Sequence, residues 1–257
     1  MPSLCELTKL AASAYTDRRT VGRWRRVRDF GRPRDAFRAG LWVRADGAGG
    51  VLSVRGTANL ASAMEDLKLL LGREPGAWRR GRGAVAASHA LVGRRLLLTG
   101  HSLGGAFASA LAREAHLRAV TFNAPGMARA LGISPGPSGS GTILNLCVGD
   151  DWIRLLSGPG LGLDLSLGPG DAPLPTGLRG LATAFVQRRR PGEGITAFIA
   201  TSIARHRLGA FPWQAAGSSA ASATAQLQFS QSRFLSSRSR STSARSNWWP
   251  RRASASR

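Results

Sequence analysis

The chain has 257 residues, enough for one sizeable hydrophobic core and one α/β domain of ordinary size. Its formal net charge of +22 points first to nucleic acid, yet every basic residue except Lys9 and Lys68 is arginine. The arginines are scattered and do not alternate with aromatic stacking platforms, so a nucleic-acid partner is disfavoured, and a GC-rich coding sequence produces the same bias. Two distant cysteines, Cys5 and Cys147, exclude a disulfide framework. The sequence offers no Cys/His cluster of metal-site spacing and no cofactor motif, so neither a metal nor a cofactor is expected. No stretch approaches 18 uncharged apolar residues, and Met1 to Asp17 lacks the apolar run of a signal peptide, so a soluble cytoplasmic protein is expected.

In chain order, folded patterning starts near Thr20 and runs to Trp213. The runs Leu41–Ala45 and Val51–Arg55 flank Asp46-Gly-Ala-Gly-Gly50 and read as a hairpin. Ala58 to Leu71, stopped by Gly72, has helical spacing, and Ala84 to Val92 reads as a second helix. Leu96–Thr99 is a continuous apolar run, as a buried parallel strand requires. Leu103 to Ala115 is helical again, and Ala119–Asn123 and Ile143–Val148 read as strands around a Gly/Pro/Ser-rich loop from Gly126 to Gly141. This alternation predicts an α/β fold, a mostly parallel sheet with helices on both faces. From Gln214 the composition turns to Ser, Ala and Arg, with seven arginines and no acidic residue. The reading is a domain over residues 1–213 and a disordered C-terminal tail over 214–257, because the tail has too little apolar surface to offset its ordering entropy.

The segment Thr99-Gly-His-Ser-Leu-Gly-Gly105 carries the chemistry. A nucleophile elbow is Gly-x-Ser-x-Gly between a strand and a helix, where glycines on either side let the two elements approach and the serine projects from a tight bend. In a glycine-rich chain the bare pattern is weak, but the full Gly-His-Ser-Leu-Gly-Gly string arises by chance at about one in ten thousand from composition. Its context, strand before and helix after, is the one the mechanics require. Ser102 is therefore the candidate nucleophile, and the N–H of Leu103 at the helix N-terminus favours a developing oxyanion. The competing reading is a serine that merely caps a helix.

A serine hydroxyl needs a base, usually imidazole. On this fold the order is nucleophile, acid, histidine. His89 precedes Ser102, His101 is its neighbour with a side chain expected to point away from the oxyanion, and His116 lies beyond the following helix. His206 remains as the base. The acid should follow a strand end, where Asp150 and Asp151 both stand after Ile143–Val148; spacing alone does not choose between them. Asp164, Asp171 and Glu193 lack a clear preceding strand.

With these residues placed, the chain resembles the class 3 (fungal-type) lipases of the α/β-hydrolase superfamily and their bacterial relatives. The resemblance rests on Val54-Arg-Gly-Thr57, Thr99–Gly105, Val120-Thr-Phe-Asn-Ala-Pro-Gly126 and Asp151-Trp-Ile153, and covers roughly Tyr15 to Phe211. It implies that Thr57 lines the oxyanion hole together with the N–H of Leu103. It also implies that Asp151, followed after one residue by Ile, is the acid. The family usually has Phe where this chain has Val54, and no long amphipathic insertion resembling an interfacial lid appears near Asn59–Leu71. A soluble acyl ester or a phospholipid is thus expected in preference to an oil–water interface.

The expected activity is serine ester hydrolysis through an acyl-enzyme on Ser102, with an acyl ester or lipid as substrate and an anionic membrane surface as a transient partner. Two rivals stand beside it: thioesterase, acyltransferase or amidase chemistry on the same fold, and a non-catalytic relative whose basic tail binds anionic surfaces.

Overall fold

The computed structural model describes residues 1–56, 77–128, 132, 143–148, 157, 160–167 and 206. Among them, helix α1 (Leu4–Ser13) precedes strands β1 (Thr20–Val21), β2 (Trp24–Phe30), β3 (Ala39–Arg44) and β4 (Gly50–Val54). Helix α2 (Trp78–Val92), β5 (Leu96–His101), α3 (Leu103–Glu114), β6 (Arg118–Phe122), β7 (Ile143–Val148) and β8 (Leu163–Leu167) follow. The eight strands form one sheet in chain order. β1 to β4 pair antiparallel and β4 to β8 pair parallel. This is the mostly parallel α/β sheet expected.

The predicted hairpin is β3–β4, with Leu41 opposite Leu52 and Trp42 opposite Val51. α2 starts six residues earlier than expected, because Gly81 and Gly83 and the arginines around them hide its first turns. Gly81 has a packing reason, since a Cβ there would meet Leu111 Cδ1 of α3 at 2.8 Å. Ordered structure also begins well before Thr20. Ser3 and Glu6 form a capping box at α1, Ser3 N–H donating to Glu6 Oε2 at 2.8 Å and Glu6 N–H to Ser3 Oγ at 3.2 Å. Strands β1, β2 and β8 add to those read from sequence.

α2, which leads from β4 towards β5, and α3, which joins β5 to β6, pack on one face of the sheet. There Leu41, Leu52, Leu96, Leu98 and Ala119 pack against Trp78, Val85, Phe107 and Leu111. The Phe107 ring stacks on Trp78 at 6.2 Å and meets Phe37 edge-on at 6.1 Å. The opposite face is covered by α1: Leu4, Leu7 and Leu10 meet Trp42, Val51, Leu97, Val120 and Leu144. Adjacent residues of one strand thus serve opposite faces, as a two-residue period demands, and both faces are dry.

One polar cluster crosses this core. The Oδ1 of buried Asn145 accepts from Ser109 Oγ at 3.0 Å and from Thr121 Oγ1, while its Nδ2 donates to Asp164 Oδ1 at 2.8 Å. Asp164 lies within β8, opposite Asn145 in register, and its carboxylate belongs to this cluster. Thr57, Asp150, Asp151, the Ala58–Leu71 segment and residues 214–257 lie outside the described residues.

Candidate active site at the carboxyl edge of the sheet

Ser102 follows β5 and immediately precedes α3, with φ 56° and ψ −135°. A non-glycine residue in that region is strained and is held there by its surroundings. Ser102 N–H donates to Phe122 O at 3.0 Å, and Ser102 O accepts from Ala106 N–H at 3.1 Å, so both sides of the bend are fixed. The flanking glycines are required by contact. A Cβ at Gly100 would lie 2.5 Å from Gly104 C, and one at Gly104 would lie 2.6 Å from Arg55 C. Strand β5, helix α3 and the end of β4 meet backbone to backbone at this point.

The serine is the N-cap of α3 but makes no side-chain capping bond. Its Oγ instead lies 2.8 Å from His206 Nε2. The capping alternative is therefore not what the hydroxyl does. Leu103, the other sequence-derived candidate, is the first residue of α3, where backbone N–H groups have no intrahelical acceptor. His89 sits near the end of α2 and His116 just past α3, both leading into the amino ends of strands and away from Ser102.

Sequence reasoning did not assign roles to three residues around this pair. His101 Nε2 lies 2.5 Å from the backbone oxygen of His206, and the two imidazoles are 5.0 Å apart at a 47° tilt. Asn123, fully buried with φ 47°, donates from Nδ2 to the same oxygen at 3.0 Å and accepts Val148 N–H on Oδ1 at 2.9 Å. Tyr15, just past α1, has its hydroxyl 3.3 Å from His101 Nδ1 and accepts Gly56 N–H at 3.1 Å. The signal for Asn123 was its place after β6 in Phe-Asn-Ala-Pro-Gly. Tyr15 had no sequence signal beyond being the chain's one tyrosine.

Arg55, from the Arg-Gly-Thr string, serves the scaffold. Its Nη1 and Nη2 donate to Pro33 O and Asp35 O, each at 2.7 Å, and its N–H donates to Arg38 O at 2.9 Å. Burial, joined by the nearby Arg38 charge, pushes the Arg55 guanidinium below its ordinary pKa. It fastens the 31–38 loop to the end of β4, next to the segment that leads to residue 57. Among the described residues no group of three or more His, Cys, Asp or Glu could hold a metal ion. None of their helices is long and apolar enough to cross a membrane.

Residues 8–133, just under half of the chain, match the Phospholipase-like family model described as the Tle-like phospholipase domain. No curated protein sequence matches the chain. Among solved structures, it is similar to Lip2 lipase from Yarrowia lipolytica, with 13% identity and a TM-score of 0.43 over 63% of this chain and 77% of that one. Lipase II from Rhizopus niveus is similar at 17% identity and a TM-score of 0.46, over 65% and 81%. A triacylglycerol lipase from Penicillium expansum is similar at 16% and 0.45, over 66% and 80%. The family-model match over residues 8–133, to a Tle-like phospholipase domain, is in keeping with the lipase resemblance read from the motifs.

Proposed function

We propose that the protein is a serine carboxylic-ester hydrolase in which Ser102 is the nucleophile and His206 the general base. The single observation that carries this reading is the 2.8 Å contact between Ser102 Oγ and His206 Nε2, made by a serine on a strained bend that spends no oxygen on capping. An oxygen and a nitrogen at that separation are placed for proton transfer.

In the first half-reaction His206 Nε2 takes the Ser102 proton as Oγ attacks the ester carbonyl carbon. The carbonyl oxygen becomes an oxyanion, held by the Leu103 N–H and by Thr57. The tetrahedral species then expels the alcohol, which leaves with the proton from His206, and an acyl-serine remains. In the second half, water gives a proton to His206 and attacks the acyl carbon; the free acid departs and Oγ recovers its proton. Asp151 orients the imidazole and steadies its charged form. Each oxyanion donor is worth about 10²–10³ in rate.

The Tle-like phospholipase match points to glycerophospholipid acyl esters as the substrate class. Short esters with soluble leaving groups should also react, because the chemistry resides in the acyl carbonyl. The test is Ser102→Ala with a p-nitrophenyl ester and a phospholipid panel, together with fluorophosphonate labelling of the wild type. Loss of turnover by several orders of magnitude (about 10⁶ in one studied triad) and labelling confined to Ser102 are expected. A variant that keeps wild-type rates places the chemistry elsewhere.

A further inference from the structure

We propose that His101 and Tyr15 are positioning residues for His206, forming with Ser102 a closed loop of contacts that sets the distance between nucleophile and base. The proposal rests on the hydrolase reading above.

His101 Nε2 faces the His206 carbonyl at 2.5 Å. A carbonyl oxygen only accepts, so Nε2 carries the proton. In the neutral ring Nδ1 then holds a lone pair, and the group facing it at 3.3 Å is the Tyr15 hydroxyl. The Tyr15 oxygen accepts the Gly56 N–H at 3.1 Å, and its own proton has two nearby acceptors, His101 Nδ1 at 3.3 Å and, more distantly, His101 O at 3.5 Å. The His206 carbonyl fixes that tautomer, and the hydroxyl, donating to Nδ1, supports it. The opposite tautomer would set a bare nitrogen against a carbonyl oxygen.

The circuit closes through the chain. His101 is peptide-bonded to Ser102, its ring holds the His206 carbonyl, and the His206 ring returns to Ser102 Oγ at 2.8 Å. Asn123 adds a second donor to that carbonyl at 3.0 Å and is itself fixed to β7 through the Val148 N–H. His206 lies 104 residues from Ser102 in the chain. Its backbone is thus anchored from two strand ends, and the residue beside the nucleophile supplies the shorter bond. A misplacement of about 1 Å at such a pair can cost about 10²-fold in rate, which is the effect this anchoring prevents.

The experiment uses the full chain with four proteins: wild type, His101→Leu, His101→Gln and Tyr15→Phe. The readouts are kcat and KM on a p-nitrophenyl ester, the rate of fluorophosphonate labelling, and Tm. His101→Leu should lower kcat and the labelling rate by about 10- to 100-fold, with KM within about twofold because no substrate contact is removed. His101→Gln, of similar size but with an amide N–H able to reach the same carbonyl, should recover most of that loss. Tyr15→Phe should lower kcat by about 2- to 10-fold, the effect of one ordinary hydrogen bond. A folded His101→Leu protein with wild-type kcat overturns the inference, as does a His101→Gln variant no better than His101→Leu. If His101→Leu shows no melting transition, the Gln and Phe variants decide, and wild-type kcat in Tyr15→Phe overturns the tautomer role. A wild type that takes no label and hydrolyses no ester overturns the hydrolase reading and this inference together. A labelled, active wild type with unaltered variants overturns only the inference.

Discussion

Strands β1 to β3 and strands β4 to β8 belong to one sheet, yet they are made from different residues. The inner parallel strands β5 to β7 are mainly apolar, Leu96-Leu-Leu among them, because both their faces are covered. In the antiparallel part, β2 reads Trp-Arg-Arg-Val-Arg-Asp-Phe and alternates between buried and exposed over its first residues. Its buried Arg26 is accommodated by an ion pair with Asp29, a bond to Thr16 O at 2.8 Å and the face of Trp42 at 5.8 Å. Burial pushes its guanidinium below the ordinary pKa, partly offset by Asp29. The two regions divide the work. The parallel half ends in the bends that hold Ser102 and Asn123, and the antiparallel half widens the sheet.

That division can be broken at measurable points. The largest effect is expected from His206→Ala, which should lower kcat by several orders of magnitude, as loss of a triad member does. Arg25→Ala, on the exposed side of β2, should leave it within about twofold. Kinetics on both variants check the contrast. Next, Phe107→Ala removes a ring packed against both Trp78 and Phe37 and should cost about 3–5 kcal/mol of stability by urea unfolding. Asn145→Ala strips Ser109 and Thr121 of their common acceptor and should cost about 1–3 kcal/mol, read in the same way.

The smallest effect lies on the β3–β4 turn. The Arg44 side chain, helped by the Ala48 N–H, holds the Asp46 carboxyl at a pKa of about 2, below its ordinary 3.8. A depressed carboxylate pKa contributes stability that is fully present above 3.8 and disappears as pH falls towards 2. Asp46→Asn should therefore lower Tm slightly near neutral pH, with the difference shrinking as pH falls from about 3.8 through 2 and suppressed by salt. A gap that persists in acid would assign the contribution to something other than the ion pair.

The same contrast governs how much was legible. Apolar runs and glycine punctuation made the β3–β4 hairpin, β5, α3, β6 and β7 readable, and the elbow followed from strand, motif and helix. Elimination among four histidines led to His206, which the structure puts 2.8 Å from Ser102 Oγ. β2 was missed because a strand whose inward position is arginine has no hydrophobic period. The Ser3–Glu6 capping box and the alternation Leu163-Asp-Leu-Ser-Leu167 are sequence signals for α1 and β8. Tyr15 and His101 were beyond reach for a different reason: the bonds that matter run to the backbone of Gly56 and His206, and backbone atoms leave no mark in a sequence.

The positive φ of Ser102 has a thermodynamic side. An L-amino acid resists that conformation, while glycine enters it freely, so the chain keeps at its centre a residue less comfortable than the alternative. A Ser102→Gly protein should be inert, yet match or exceed the melting temperature of the parent after the added freedom of its unfolded chain is counted. Reactivity at this bend is held against the conformational preference of its own backbone.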